Sequence, residues 1–307
     1  MRNTFANTIY EAGRRDGRLV IVVADISPAG SMQKFREEFP ERFINVGLSE
    51  QAMIGLCAGM ALRGLRPFAY TIATFALFRP FEFVRDDLCY QNLPVTVVGI
   101  GGGVTYSTLG GTHHAQEDIA VACAIPNMTV IAPCDPRETQ EATLWCTTQE
   151  RGPVYLRLGK AGEPDLTSTA VDPFVFGKMR YLRRGDDVCI LSYGPILKQA
   201  ADLADRLAAG GESVSLVSVH TLKPLDVDGL RLALHGHRRV IVVEETAPHG
   251  GLGPRVKEIA WDCQAPCRID AFALQDAFIH SYGSHAELLA AHGLGPALIA
   301  ERVGLEG

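Results

Sequence analysis

Short, uninterrupted apolar runs alternate with helical patterns along almost the whole chain, and that alternation restricts the fold more than any other feature. Residues 19–24 (LVIVVA), 95–100, 128–132 and 154–158 are rich in β-branched side chains and too short to be buried helices. They read as strands covered on both faces. Between them lie helical stretches. Asp135, Pro136 and Glu138 supply an N-cap, a first-turn proline and a capping-box acid for one such helix. Around residues 162–173 the pattern lapses into Gly, Pro, Ser, Thr and Asp, then restarts with strands at 188–192, 214–219, 240–244 and 268–272. Helices are expected after Pro195, after Gly253 and near both 285–292 and 296–303. Repeated βαβ units imply an α/β fold of two doubly wound, mostly parallel domains. The first is expected over residues 1–165, a linker over 166–184 and the second over 185–307.

Composition removes several function classes. The 307 residues are 47% hydrophobic and carry a net charge of −6 with no Lys/Arg run, which gives no electrostatic footprint for nucleic acid. No stretch approaches the ~18 apolar residues of a membrane span. The first residues have no apolar core of the signal-peptide kind, so a cytoplasmic location is expected. Of the eight cysteines, six sit in apolar or helical surroundings. Cys263 and Cys267 lack a second pair at zinc spacing, and no metal ligands are assigned to this chain.

Four clusters carry candidate chemistry, and each has a plain structural reading beside it. Ser49 can cap a helix that Gly64 can end, with Met53, Leu56, Cys57, Met60 and Ala61 as its apolar stripe. Glu50 then stands in the first turn, where the helix dipole alone would favour it. Phe75, Phe78 and Phe81 recur every third residue. They are either core packing or a platform for a flat heterocycle. Gly101-Gly102-Gly103 and Thr112-His113-His114 follow a strand, where parallel sheets bind ligands, yet adjacent loop histidines are often satisfied by backbone. Glu244-Glu245 closes a strand and is either a proton-sharing pair or a strand-to-loop junction.

Taken in order, the runs 42–51 (RFINVGLSEQ), 58–61, Thr74-Phe75, 111–114, 126–128 and 133–136 resemble the carboxyl-terminal half of transketolase, and similarly 1-deoxyxylulose-5-phosphate synthase. Glu244-Glu245 and 250–253 (GGLG) extend the resemblance into the second half. It implies a thiamine-diphosphate enzyme with a pyrimidine-binding domain followed by a transketolase carboxyl-terminal domain. In that family a Gly-Asp-Gly…Asn motif holds the diphosphate through Mg²⁺, and no Gly-Asp-Gly occurs here. With no room before residue 1 for that domain, the diphosphate and Mg²⁺ are expected from a second polypeptide. The expected assembly is α₂β₂, with an amino-terminal, diphosphate-binding transketolase subunit as partner.

The resemblance also assigns roles. Glu50 matches the glutamate that hydrogen-bonds a pyrimidine nitrogen and so promotes removal of the thiazolium C2 proton. Phe75, Phe78 and, more distantly, Phe81 match aromatics around the pyrimidine, and Asp25 an acid near the subunit contact. His113 matches a histidine at the substrate carbonyl, and Lys160 a basic group for substrate phosphate. Leu109 replaces an acid that meets a donor hydroxyl, and Gly101-Gly102 replace a second basic side chain. The implied function is two-carbon ketol transfer from a ketose or 2-oxo donor to an aldehyde, with a shorter or unphosphorylated donor as one consequence of the departures. Two alternatives are the β subunit of a 2-oxo acid dehydrogenase and a non-catalytic subunit of the same fold.

Overall fold

The computed structural model describes residues 1–27, 30 and 32–304. Its strands form two sheets. The first runs, edge to edge, β10 (Thr221–Lys223), β5 (Thr129–Ile131), β6 (Val154–Leu158), β4 (Thr96–Ile100), β3 (Arg66–Ile72), β1 (Leu19–Val23) and β2 (Phe43–Asn45). The second runs β12 (Arg268–Phe272), β11 (Arg239–Val243), β8 (Val188–Ser192), β9 (Val214–Ser218) and β7 (Arg180–Arg183). All neighbours are parallel except the β10–β5 and β7–β9 pairs.

The continuous apolar runs mean what a two-faced strand requires. In β1, Leu19, Ile21 and Val23 join the cluster that holds Phe5 and Ile9 of helix Arg2–Gly13. The alternate residues Val20 and Val22 pack with Met53, Ile54 and Cys57 of helix Glu50–Leu62. That second cluster continues past Leu222 at the edge of the first sheet into the other sheet through Val217 and Val242, so the two halves share part of their core. Each sheet is therefore a middle layer, and its polar chemistry is pushed to the strand ends.

Four strands carry no clear signal in the sequence. β3 contains Pro67 near its start, a residue that ordinarily argues against a central strand. Its missing N–H falls at the beginning of the ladder, where Arg66 N instead bonds Arg18 O at 2.8 Å. β2 and β10 are three residues each, too short for a period to show. β7 lies inside the stretch 166–184 and joins the second sheet, while β10 crosses back to edge the first.

At one helix the N-cap and first-turn proline follow expectation, although Glu138 accepts from Cys134 N at 2.8 Å and so closes no capping box; at another the side-chain cap is absent. Asp135 Oδ1 accepts from Glu138 N at 2.7 Å, and its Oδ2 accepts from Leu166 N and Thr167 N at 2.8 and 2.7 Å. One buried carboxylate thus starts helix Pro136–Thr148 and anchors the segment leaving β6. Ser49 occupies the N-cap of helix Glu50–Leu62, but its side chain makes no capping bond. Of that helix's expected apolar stripe, Leu56 is exposed.

Where β10 departs from β9, His220 is fully buried and stacks on Phe174 with ring centres 4.3 Å apart. Burial, with the Arg180 charge adding to it, lowers its pKa to about 3. In the unfolded chain the imidazole takes a proton near its ordinary value of about 6.5, whereas the folded chain takes none until far lower. The contribution of His220 is therefore fully present above about pH 6.5 and is lost as pH falls toward the folded value. Between about pH 6 and pH 4, the urea-unfolding free energy of the wild type should fall more steeply than that of His220→Gln, by roughly 1.4 kcal/mol per pH unit. Parallel acid limbs in the two proteins would show that His220 is protonated in the fold.

Candidate active site

The carboxyl-terminal ends of β1, β2 and β3 are tied together before any functional side chain is placed. Asp25, just beyond β1, has φ of 49°, a left-handed conformation that Asp tolerates better than most residues. Its N–H donates to Asn45 Oδ1 at 3.0 Å, and Gly47 N donates to the same oxygen at 2.9 Å. Asn45 Nδ2 returns a bond to Asp25 Oδ1 at 3.3 Å. With Gly47 at φ of 74°, the chain turns directly into helix Glu50–Leu62. Glu50 is thereby delivered inward at that helix's N-terminus, its side chain only 3% exposed.

From the end of β3, the short helix Ala73–Leu77 presents Phe75. Arg79 then makes two contacts at once. Its Nη1 donates to Glu50 Oε1 at 3.0 Å, and its guanidinium carbon sits 3.8 Å above the centre of the Phe75 ring. A planar cation thus stacks on the aromatic face and donates an N–H to the buried carboxylate. His113 meets the same ring edge-on, with centroids 5.2 Å apart and an interplanar angle of 68°. Its Nδ1 lies 3.0 Å from Thr112 Oγ1. Glu50, Phe75 and Asp25 line one cavity of about 290 Å³, together with Tyr106 and Arg2.

The other expected residues lie apart from that cavity. Phe78 is partly buried against the core, and Phe81 is exposed on the following turn. Leu109 is half-exposed in the loop that carries His113. Lys160 lines a separate cavity of about 360 Å³ with Thr105 and His285, its Nζ 5.2 Å from the Tyr106 ring centre. Arg2 joins the site without any signal in the sequence. Its Nε donates to Tyr70 at 3.2 Å and its Nη2 to Ser27 O at 2.8 Å, and it forms no salt bridge among the described residues. A cation one residue into the chain has no period or motif to mark it; only the packing of helix Arg2–Gly13 against β1 carries it to the site.

The glycine run after β4 has a packing cause. A Cβ would fall 2.3 Å from the Tyr106 ring at Gly101, 2.2 Å from Arg157 Nε at Gly102 and 2.3 Å from Glu245 Oε1 at Gly103. These positions abut large side chains. Glu244 and Glu245 also part company: Glu244 accepts from Leu252 N and Gly253 N at 2.7 and 2.8 Å, whereas Glu245 accepts from Val104 N at 2.8 Å. Burial pushes the Glu244 carboxyl up, and those N–H groups at the start of helix Leu252–Asp262 oppose it. With separate partners, the two act as a strand-to-loop junction.

The donor set fits a flat nitrogen heterocycle: a ring face to stack on, and beside it a buried carboxylate now satisfied by a planar N–H donor. It does not fit a metal. Among the described residues no group of three or more His, Cys, Asp or Glu is arranged to hold one. A separate cavity of about 770 Å³ opens at the amino-terminal ends of β1 and β3 and shares no residue with this site.

Two family models match the chain. Residues 1–162 match the transketolase pyrimidine-binding domain, and residues 177–299 match the transketolase C-terminal domain. The chain is 34% identical to an apulose-4-phosphate transketolase subunit of Phocaeicola vulgatus, over 95% of this chain and 93% of that protein. It is also 34% identical to the 6-deoxy-6-sulfo-D-fructose transketolase subunit SqwH of Clostridium sp., over 87% of this chain and 83% of that one. A solved structure described as a split gene transketolase, inactive beta4 tetramer, superposes with a TM-score of 0.88 at 32% identity, covering 99% of this chain and 97% of its own.

Proposed function

The chain belongs to the transketolase family, and we propose that it is the pyrimidine-binding subunit of a two-chain transketolase whose partner holds the diphosphate of thiamine diphosphate and its Mg²⁺. The observation that carries the proposal is the stacking of Arg79 on Phe75 while it donates to the buried Glu50. That is the pair of interactions an aminopyrimidine would need. The chemistry supplied by bound thiamine diphosphate is that of a carbon nucleophile and electron sink, through which a ketose carbon–carbon bond is broken and a new one made.

Within this chain, Glu50 holds a proton against the pyrimidine nitrogen, Phe75 stacks on the ring, and Arg79 swings outward to release both. Half of the Arg79 side chain is already exposed, so the movement needs no change in the core. Phe78 and Phe81 stand outside the cavity and are given no contact with the ring, and Asp25 faces the partner. His113, poised on the Phe75 edge, donates to and accepts from the reacting oxygens of the substrate. The reaction is transfer of a two-carbon ketol unit from a ketose donor to an aldehyde acceptor. The related proteins named above act on sugars bearing a phosphate or sulfo group. Arg2, which lines the cavity without a carboxylate partner among the described residues, is the group we assign to such an anion, with Lys160 beyond Tyr106 as a second cation. Leu109 offers the donor no polar contact. We take the assembly to be α₂β₂ and its location to be cytoplasmic; no described helix is long and apolar enough to cross a membrane.

Purified alone, the chain should show no ketol transfer and bind thiamine diphosphate weakly, and both should appear when a second polypeptide with Gly-Asp-Gly…Asn is added. Isothermal titration and a coupled ketose assay measure this; turnover by the chain alone would end the two-chain reading. In the reconstituted pair, Arg79→Ala removes a competitor for Phe75 and Glu50. The Kd for thiamine diphosphate should fall about threefold to tenfold, the scale of a cation–π contact of ~1 kcal/mol. A Kd that rises or stays the same would mean that Arg79 does not compete for that face.

A further inference from the structure

His113 reaches the Phe75 edge from a loop whose two stems are held by the other half of the chain. Gly103 and Ala115 exchange both backbone bonds, 2.9 and 2.8 Å, and close an excursion over residues 104–114. The exit of β11 then grips each stem. On the outgoing side, Glu245 Oε1 accepts from Val104 N at 2.8 Å, and His285 Nε2 lies 2.8 Å from the same oxygen. On the returning side, Ala247 N donates to Gln116 O at 2.7 Å, and Thr246 Oγ1 donates to that carbonyl too. Arg157 completes the clamp. Its Nη2 donates to Glu245 O and its Nε to Asp118 Oδ2, both at 2.9 Å, which ties β6 to the helix that follows the loop.

The acid at the centre of this clamp is itself buried, with Glu245 only 2% exposed. Gly103, at φ of 63°, leaves room for the Glu245 carboxylate, whose Oε1 would lie only 2.3 Å from a Cβ at that position. The Glu245 carboxylate bonds the backbone of the excursion and not the side chain of His113, so its effect passes through the loop.

We propose that Glu245 is a positioning residue: the second half of the chain sets the placement of His113 by holding the 104–114 loop at Val104. The consequence for turnover rests on the reading of His113 as a substrate-contacting group; the mechanical part does not.

The experiment has two arms, on Glu245→Ala and Glu245→Gln, the amide keeping an acceptor oxygen for Val104 N. In the isolated chain, hydrogen–deuterium exchange across 104–114 should rise about tenfold in Glu245→Ala and less in Glu245→Gln, with the β1 amides unchanged. In the reconstituted pair, kcat should drop about tenfold in Glu245→Ala with partial recovery in Glu245→Gln, while the Kd for thiamine diphosphate holds, because Glu50 and Phe75 are untouched. Loop exchange that stays at the wild-type level in folded Glu245→Ala overturns the proposal, as does raised exchange with unaltered kcat. Should Glu245→Ala not fold, Glu245→Gln carries both arms. A wild-type pair without ketol transfer would count against the function proposed above, and the clamp would then stand or fall on the exchange arm.

Discussion

A strand packed on both faces has no side chain to spare for chemistry except at its ends. The first sheet obeys this constraint through its centre: the residues of β1, β4 and β6 are all buried, and one set of alternate side chains meets one helical layer while the other set meets the opposite layer. Apart from Arg2, which the first helix brings in, the groups assigned roles on the cofactor and substrate therefore stand beyond a strand or at the start of the helix that follows one. Asp25 follows β1, Glu50 opens the helix after β2, Phe75 follows β3, and His113 rides the loop after β4. The Asn45 side chain, bonded to both Asp25 and Gly47, sets the angle at which Glu50 enters.

Burying a carboxylate is unfavourable unless it is bonded. Glu50 meets that demand through helix position and Arg79, and the choice of partner matters. Arg79 comes from the turn after Phe75, is half-exposed and is held by one ion pair and one ring face, so it can leave without disturbing the core. Glu138, by contrast, is fully buried and bonded to Cys134 N and Ser218 Oγ, with Arg180 nearby, a set that joins the two sheets and does not move. The same residue type thus serves as a replaceable contact in one place and a permanent one in the other. What separates them is the exposure of the partner.

The sequence discloses the layered fold and the position of Glu50 because both follow from periods and local signals: apolar runs of strand length, and an acid in the first turn of a helix. It discloses less of what depends on contacts across the chain. Pro67 conceals β3, since a central strand with a proline is improbable until the proline is known to sit at the start of the ladder. β10 is three residues that pair with β5, far earlier in the chain, and no local pattern reports it. Gly101 and Gly102 look in sequence like lost basic groups; in space they are the room taken by Tyr106 and Arg157. Arg2 supplies a cation in the cavity from the start of the chain. Phe75, Phe78 and Phe81 look equivalent by spacing, yet only Phe75 of the three lines the cavity, because the helical turn ends at Leu77 and the chain changes direction at Pro80.

All the chemistry proposed for this site depends on Glu50 as the proton partner of the pyrimidine. Exchange of the C2 proton of thiamine diphosphate for deuterium, followed by NMR in the reconstituted complex, tests that directly and needs no substrate. If Glu50 has this role, Glu50→Gln will fold normally, bind the cofactor and exchange the proton about 100-fold more slowly or worse, the scale of a lost general acid–base group. Equal exchange rates in wild type and Glu50→Gln would contradict it.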